Sequence, residues 1–259
     1  MMKKKIAIIT GATGGIGQEF VKQILKEEVE EIWAVARNEK KLAELQERYG
    51  RVLVPVPLDL SEEAQIKEFG EVLAKKKPQI QYLINNAGLA KMASYQEFSL
   101  EEISRMVEVN CKAPVLLCQL CIPYMTTGSR ILNISSASAF QPNPYINLYA
   151  ASKAFERSYS RALNVELKGT GITVTAVCPG WVDTELLEKE RNGKKIKFPG
   201  MVTPDRVVAQ AIKDARKGRD MSVCSFYVKC QHAYVKLLPQ KWVMKIWVKG
   251  ISKYLPHDR

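Results

Sequence analysis

The sequence predicts an α/β fold, a doubly wound parallel sheet with helices on both faces, on three observations. Between Lys5 and Val177, short β-rich apolar runs alternate with helical patterns, and such alternation folds through right-handed crossovers into a parallel sheet. The first apolar run ends in a glycine-rich turn, Gly11-Ala12-Thr13-Gly14-Gly15-Ile16-Gly17, with a helical pattern behind it. At 259 residues and 46% hydrophobic content the chain can bury one sizeable core, and no internal repeat, low-complexity tract or linker divides it.

The elements follow in order. Lys5 to Thr10 is a strand and Gln18 to Glu28 a helix; Glu31 to Arg37 is the second strand and Glu39 to Tyr49 the second helix. A strand over Val52 to Leu58, a helix over Ser61 to Lys76 and a strand over Gln81 to Asn85 continue the alternation. Leu100 to Met125 is a long helical segment interrupted by Pro114, with Val109-Asn110 near its middle. Arg130 to Ile134 is the fifth strand, a helix carries Tyr149 and Lys153, and Ile172 to Val177 is the sixth strand. After a brief run at Met221 to Cys224, helices at Ser225 to Leu238 and Gln240 to Tyr254 flank Pro239. The whole, 1–259, reads as one domain with a core over 5–220 and a helical extension over 225–255.

Three places carry chemistry. Strand, glycine turn and helix together present backbone N–H groups and a helix N-terminus to a phosphate, and glycines let a pyrophosphate approach closely. The second strand ends in Ala36-Arg37; an acid there would accept from a ribose 2′-hydroxyl, whereas arginine pairs with a 2′-phosphate, so the pattern favours NADP(H) over NAD(H). Asp59-Leu60 and Asn85-Asn86-Ala87-Gly88 fall after the third and fourth strands, at carboxyl ends where such folds bind ligands. Finally, Tyr149-Ala150-Ala151-Ser152-Lys153 places a phenol and an ammonium one helical turn apart. A free phenol has a pKa near ~10, and a fixed positive charge beside it favours its ionised form, bringing it closer to working range as a proton carrier.

Composition narrows the class. The six cysteines are scattered, and a chain of this length needs no disulfide staples, so free thiols are expected. Cys118-Gln119-Leu120-Cys121 lies in an apolar helical run, which favours core packing over metal or redox chemistry; no metal is expected. The apolar run Ile6 to Ile9 stops at Thr10-Gly11, far short of a signal peptide or a membrane span, so the expected compartment is the cytoplasm. The formal charge of +12 is uneven: from Ser225 onward seven basic residues face one acid, and no nucleic-acid recognition motif accompanies them.

Taken together, Thr10-Gly11-x-x-x-Gly15-x-Gly17, Asp59-Leu60, Asn85-Asn86-Ala87-Gly88, Asn110, Ser136, Tyr149-x-x-x-Lys153 and Pro179-Gly180-x-x-x-Thr184 resemble, in order and spacing, the short-chain dehydrogenase/reductase family. The resemblance spans about residues 5 to 220 and implies a Rossmann-type fold. It implies an oxidoreductase in which Tyr149 passes a proton to or from the substrate oxygen while hydride moves between nicotinamide and carbon. Ser136 would hydrogen-bond that oxygen; its thirteen-residue distance to Tyr149 matches the family better than that of Ser135, and alternation along a strand lets only one of the two face the site. Capping is the structural alternative for Ser136. Lys153 would hold the ribose and tune Tyr149, and Asn110 would anchor a water relay or serve as a buried partner of the helix break. Gly11, Thr13, Gly14, Gly15, Ile16, Gly17, Arg37, Asp59, Leu60, Asn86, Ala87 and Gly88 would line the cofactor, with Pro179, Gly180 and Thr184 beside the nicotinamide. Glu185 to Val202 resembles the family's mobile substrate lid; a solvated excursion is the alternative.

The chain departs from the family pattern after residue 220. Where many members end in a glycine-rich tail that builds a tetramer, this one has helix, proline, helix, which puts the usual tetramer interface in question although a homodimer or homotetramer is still expected. Similar endings occur in members resembling hydroxysteroid dehydrogenases and long-chain 3-oxoacyl reductases, which points to a lipophilic ketone or secondary alcohol as substrate. Val243, Ile246, Trp247, Ile251, Tyr254 and Leu255 recur at helical spacing against Lys241, Lys245, Lys249 and Lys253. Such a helix can pack on its own domain or make peripheral contact with an anionic membrane. The alternative function from another class is a non-catalytic NADP-binding sensor or membrane-docking protein.

Overall fold

The computed structural model describes residues 3–185, 187, 190, 191 and 194–252. Strands β1 (Lys5–Thr10), β2 (Glu31–Ala36), β3 (Leu53–Pro57), β4 (Gln79–Asn85), β5 (Met125–Ile134) and β6 (Thr173–Val177) are all parallel; β7 (Glu190–Arg191) and β8 (Lys194–Lys195) form a separate antiparallel pair, and β9 (Met221–Ser222) closes the main sheet. The order is β3-β2-β1-β4-β5-β6-β9. The path runs outward from β1 to β3, then returns to β4 at the other side of β1 and runs the opposite way. This reversal opens a crevice beyond the carboxyl ends of β1 and β4, the place where doubly wound sheets bind ligands.

Both sheet faces are covered, as parallel strands require. Side chains alternate along a strand, so in β1 Ala7 and Ile9 face one layer while Ile6 and Ile8 face the other. The first layer holds Phe20, Val21 and Ile24 of α1 (Gly15–Ile24) and Leu42 and Leu45 of α2 (Glu39–Tyr49). The second holds Ile66, Phe69 and Leu73 of α3 (Glu63–Lys76) with Trp33, Val35 and Leu83 of the sheet.

The expected helix over Leu100 to Met125 is broken into α4 (Leu100–Val107), a π-helical turn (Glu108–Lys112), α5 (Ala113–Cys121) and a 3₁₀ turn (Ile122–Tyr124). Ser99 and Glu102 start α4 with a reciprocal capping box. Pro114 falls in the first turn of α5, where its missing N–H costs nothing, and the extra residue of the π turn comes just before it. The run Leu100–Tyr124 is long and apolar enough to cross a membrane, yet its residues Ala113, Leu117, Cys118 and Cys121 are core residues against β4 and β5. Met125, expected to end the helix, instead begins β5: a register shift and Gly128 (φ +90°) let the strand start early, with Ser129 Oγ donating to Ile80 O at 2.7 Å.

α6 (Asn147–Glu166) carries the tyrosine–lysine pair, and α7 (Pro204–Arg216) completes the first layer through Val207, Val208 and Ala211. Sequence reasoning gave no element for α7, although Thr203-Pro204-Asp205 is a helix-start signal and the apolar residues after it recur at helical spacing. Of the expected lid, residues 186, 188, 189, 192 and 193 lie outside the described ones. Its base is closed by Asp183 N–H to Val202 O and Val202 N–H to Trp181 O, both 2.9 Å.

The extension forms α8 (Phe226–Leu237) and α9 (Gln240–Ile251), with Pro239 capping the second. α9 packs on its own domain: Val243 and Ile251 are buried and Trp247 Nε1 donates to Pro144 O at 2.9 Å. Its outer arc holds Lys241, Lys245 and Lys249, and Ile246, expected on the packed face, lies outward beside Trp242. Lys253, Tyr254 and Leu255 fall outside the described residues.

Candidate active site

The glycine turn is shaped by backbone contacts that leave no room for side chains. A Cβ on Gly17 would lie 2.1 Å from Gly11 O, so only glycine lets the first turn of α1 seat against the end of β1. Gly14 and Gly15 are exposed at the N-terminus of α1, which has no acidic residue in its first turn. Its N–H groups therefore face outward with no carboxylate of the helix's own first turn beside them, a site for a phosphate. Thr13 O accepts from Gln18 Nε2 at 2.9 Å, and Ile16 turns toward the first core layer. Thr184 overlies the turn: a Cβ on Gly15 would come within 2.9 Å of its methyl group. Such a cradle, filled by any side chain, fits a dinucleotide pyrophosphate.

Across the crevice, Thr10 ties β1 to β4. Its hydroxyl accepts from Asn86 N–H at 2.9 Å and Ala87 N–H at 3.0 Å, while Asn86 Nδ2 donates to Thr10 O at 3.0 Å. Gly88 follows, and a Cβ there would be 3.2 Å from Lys153 Nζ and 3.5 Å from Asn110 Oδ1. The glycine thus admits both groups to one place.

Asn110 sits fully buried in the π turn. Its Oδ1 accepts from Leu89 N–H at 2.8 Å, and its Nδ2 donates to Leu89 O at 2.8 Å and Ser152 Oγ at 3.0 Å. Both amide hydrogens are engaged, so the side chain clamps the loop after β4 to α6. Lys153 Nζ lies 6.0 Å from the Tyr149 ring centre and donates to Ile134 O at 2.7 Å and Glu156 Oε2 at 2.8 Å. Of the serine pair, Ser135 donates to Lys153 O at 2.7 Å and is committed to α6. Ser136 turns the other way and accepts from Ser138 N–H at 3.1 Å, capping the 3₁₀ turn Ala137–Phe140.

At the far end of the crevice, Arg37, Lys41, Thr13 and Asn38 line an open pocket of about 440 Å³. Asn38 caps α2 by accepting from Lys41 N–H at 2.9 Å, which holds the lysine at the pocket edge. Asp59 sits next to it. Burial alone would raise its carboxyl, but hydrogen bonds from Ser61 N–H and Oγ, with Arg105 at 2.8 Å and Arg37 at 3.9 Å, hold it below the usual range. Leu60 turns into the second core layer and can meet a ligand only through its backbone. Pro179 O accepts from Ala137 N–H at 2.8 Å, and α8 crosses Gly180 so closely that a Cβ there would be 2.6 Å from Val228 Cγ2.

Sequence reasoning missed Lys41, Arg105, Glu156 and the clamping role of Thr10. Lys41 was legible, since Asn38 is an N-cap and the third residue after it turns back over the cap. The C-x-x-C pair is core: burial pushes the Cys118 thiol up to about 12 and holds that of Cys121 well above its ordinary value.

A nucleotide-binding doubly wound sheet with a tyrosine–lysine helix over its crevice defines an oxidoreductase class. Residues 5–195 match the short-chain dehydrogenase model, and the chain belongs to that family. It is an oxidoreductase acting on CH–OH or C=O groups with a nicotinamide cofactor. It is 30% identical to an uncharacterized oxidoreductase of Staphylococcus epidermidis over 80% of this chain and 90% of that one. It is 30% identical to the very-long-chain 3-oxoacyl-CoA reductase of Anas platyrhynchos over 94% of this chain and 78% of that one. The fold superimposes on a short-chain dehydrogenase from Sphingobium yanoikuyae in complex with NADPH, with TM-score 0.75, 24% identity and coverage of 99% and 98%. A 3-ketoacyl-(acyl-carrier-protein) reductase from Brucella melitensis, complexed with NADH, follows at TM-score 0.71, 26% identity and coverage of 85% and 95%.

Proposed function

We propose that this protein is an NADP(H)-dependent reductase or dehydrogenase interconverting a lipophilic ketone and its secondary alcohol. The observation that carries the cofactor choice is the pocket at the end of β2, where Arg37 and Lys41 stand and no acid occupies the last strand position. A 2′-phosphate gains two cations there; a 2′-hydroxyl finds no carboxylate at Ala36. The substrate side is apolar. Val228 lies against Gly180, Phe140 stacks on His232 of α8 with ring centres 4.2 Å apart, and Met201, Phe226 and Tyr227 are exposed near the same end. The similarity to the very-long-chain 3-oxoacyl-CoA reductase, reaching over 94% of this chain, supports a hydroxysteroid-like or fatty-acyl substrate.

A bound nicotinamide dinucleotide supplies hydride in reduction and accepts it in oxidation. Tyr149 gives the substrate oxygen its proton, Ser136 hydrogen-bonds that oxygen, and Lys153 holds the ribose and the phenol's electrostatic setting. Thr184 and the N–H groups of α1 hold phosphate, and Asn110 keeps the loop bearing Gly88 fixed to α6.

Fluorescence titration with NADPH and NADH, followed by NADPH oxidation with a panel of hydrophobic ketones, tests this reading. Arg37→Ala is expected to weaken NADPH by about 10- to 100-fold, the worth of one charge-assisted bond, and to leave NADH unchanged. Equal binding of both cofactors would remove the NADP preference, and binding of neither would remove the enzyme reading.

The exposed arc of α9 supports a second property. Trp242 and Ile246 among Lys241, Lys245 and Lys249 would meet an anionic bilayer. Salt-sensitive cosedimentation with phosphatidylserine vesicles, lost in Lys241→Glu/Lys245→Glu, is the expected result; no binding by the native protein rejects it.

A further inference from the structure

Tyr149, Lys153 and Glu156 recur at i, i+4 and i+7, so phenol, ammonium and carboxyl share one face of α6. Lys153 Nζ and Glu156 Oε2 are 2.8 Å apart, and the two side chains are only 5% and 1% exposed. An ammonium has three donors. Two are engaged by Ile134 O and Glu156, which leaves one for a ligand in the crevice. The second carboxyl oxygen, Glu156 Oε1, is buried with no hydrogen-bond partner. A full negative charge there goes unsolvated, whereas a proton on the carboxyl removes that cost.

Burial pushes the Glu156 carboxyl up to about 7, against the pull of Lys153. For Lys153 burial opposes the charged form, but Glu156 and Tyr149 outweigh it and the ammonium is held above its ordinary value. The other titratable groups that feel this pair are Cys111 of the π turn, Cys118 of α5 and Cys178 beyond β6. Burial raises all three thiols, Cys118 and Cys178 to about 12, so Glu156 is the member of the cluster that changes charge near neutrality.

We propose that Glu156 is a positioning residue that fixes how much of the Lys153 charge reaches Tyr149, and thereby sets the pH range over which Tyr149 carries its proton. The inference rests on the reading of Tyr149 as proton carrier. Ionised Glu156 balances the ammonium and favours the neutral phenol; protonated Glu156 leaves the ammonium uncompensated and favours the phenolate. The carboxylate thus keeps the phenol in its donating form at and above neutral pH. A purely structural ion pair would change stability without moving a pH profile.

The test is the kcat–pH profile for oxidation of a secondary alcohol by Glu156→Gln, whose amide still accepts from Nζ but carries no charge. The limb on which the proton carrier ionises is expected about one pH unit lower than in the native enzyme, and Glu156→Asp is expected to bring it back toward the native position. A Glu156→Gln limb at the native pH overturns the proposal. Tyr149→Phe run in parallel separates the two readings: surviving turnover there removes Tyr149 as proton carrier and the proposal with it, whereas an inactive Tyr149→Phe with an unmoved Glu156→Gln limb removes the Glu156 role alone. Should Glu156→Gln not fold, NMR titration of the native protein with ¹³C-carboxyl glutamate decides. One carboxyl with a midpoint near neutrality is expected, and all of them titrating below about pH 5 overturns it.

Discussion

Tyr149→Phe is expected to lower kcat by about 10²- to 10⁴-fold, the usual contribution of a positioned proton donor, while NADPH affinity stays within about twofold. The substitution removes one hydroxyl and keeps the ring. Tyr149 is the third residue of α6 and only partly buried, so the helix and its packing survive, and circular dichroism and melting should match the native protein. The loss should appear in kcat and kcat/KM alike, because the phenol proton is needed only as charge develops on the substrate oxygen. Undiminished turnover would remove Tyr149 as the acid, and with it the tuning role given to Lys153.

Gly17→Ala is the second large effect. The added methyl would meet Gly11 O at 2.1 Å, Gly11 C at 2.8 Å and Ala12 Cα at 2.9 Å, all backbone atoms that cannot rotate away. Relief requires α1 to lift off the end of β1, which costs at the upper end of the ~1–3 kcal/mol range for overpacking and spoils the anion site at the helix N-terminus. Loss of measurable NADPH binding and a melting temperature lower by roughly 5–10 °C are expected. Gly250→Ala is the control: nothing lies within 4 Å of a Cβ there, and a helical glycine replaced by alanine gains about 0.5–1 kcal/mol. A Gly17→Ala protein that binds NADPH normally would show that the turn is softer than its contacts indicate.

The sheet was legible because buried parallel strands are written as apolar runs, and the glycine turn because a phosphate cradle needs a local string of small residues. Arg37 was legible as the residue that follows the second strand, and it lines one pocket with Thr13, Asn38 and Lys41. Glu156 was not. An acid inside a helix reads as a solvated residue, and only the packing of α6 beneath β5 and β6 shuts it away beside Lys153. Asn110 was singled out by its motif with two uses left open: whether a buried amide holds water or clamps a backbone depends on Leu89 and Ser152, which lie far off in sequence. The helix α7 is harder to read because its start, Thr203-Pro204-Asp205, follows directly on the charged stretch before it. The α9 packing face was half right, with Val243, Trp247 and Ile251 inward and Ile246 out, because periodicity finds a stripe but not the curvature of the surface that receives it.

The bond from Trp247 to Pro144 has a practical consequence. Pro144 precedes Tyr145, a non-glycine residue held at φ +68° whose carbonyl accepts from Ala93 N–H at 2.8 Å, and α6 starts two residues later. The tail is therefore the buckle on the strap that delivers the tyrosine helix, so trimming α9 or hanging an affinity handle close behind it pulls on the reacting end of the molecule. Lys3 and Lys4 lead into β1 at the opposite pole of the sheet, and a handle belongs on that side.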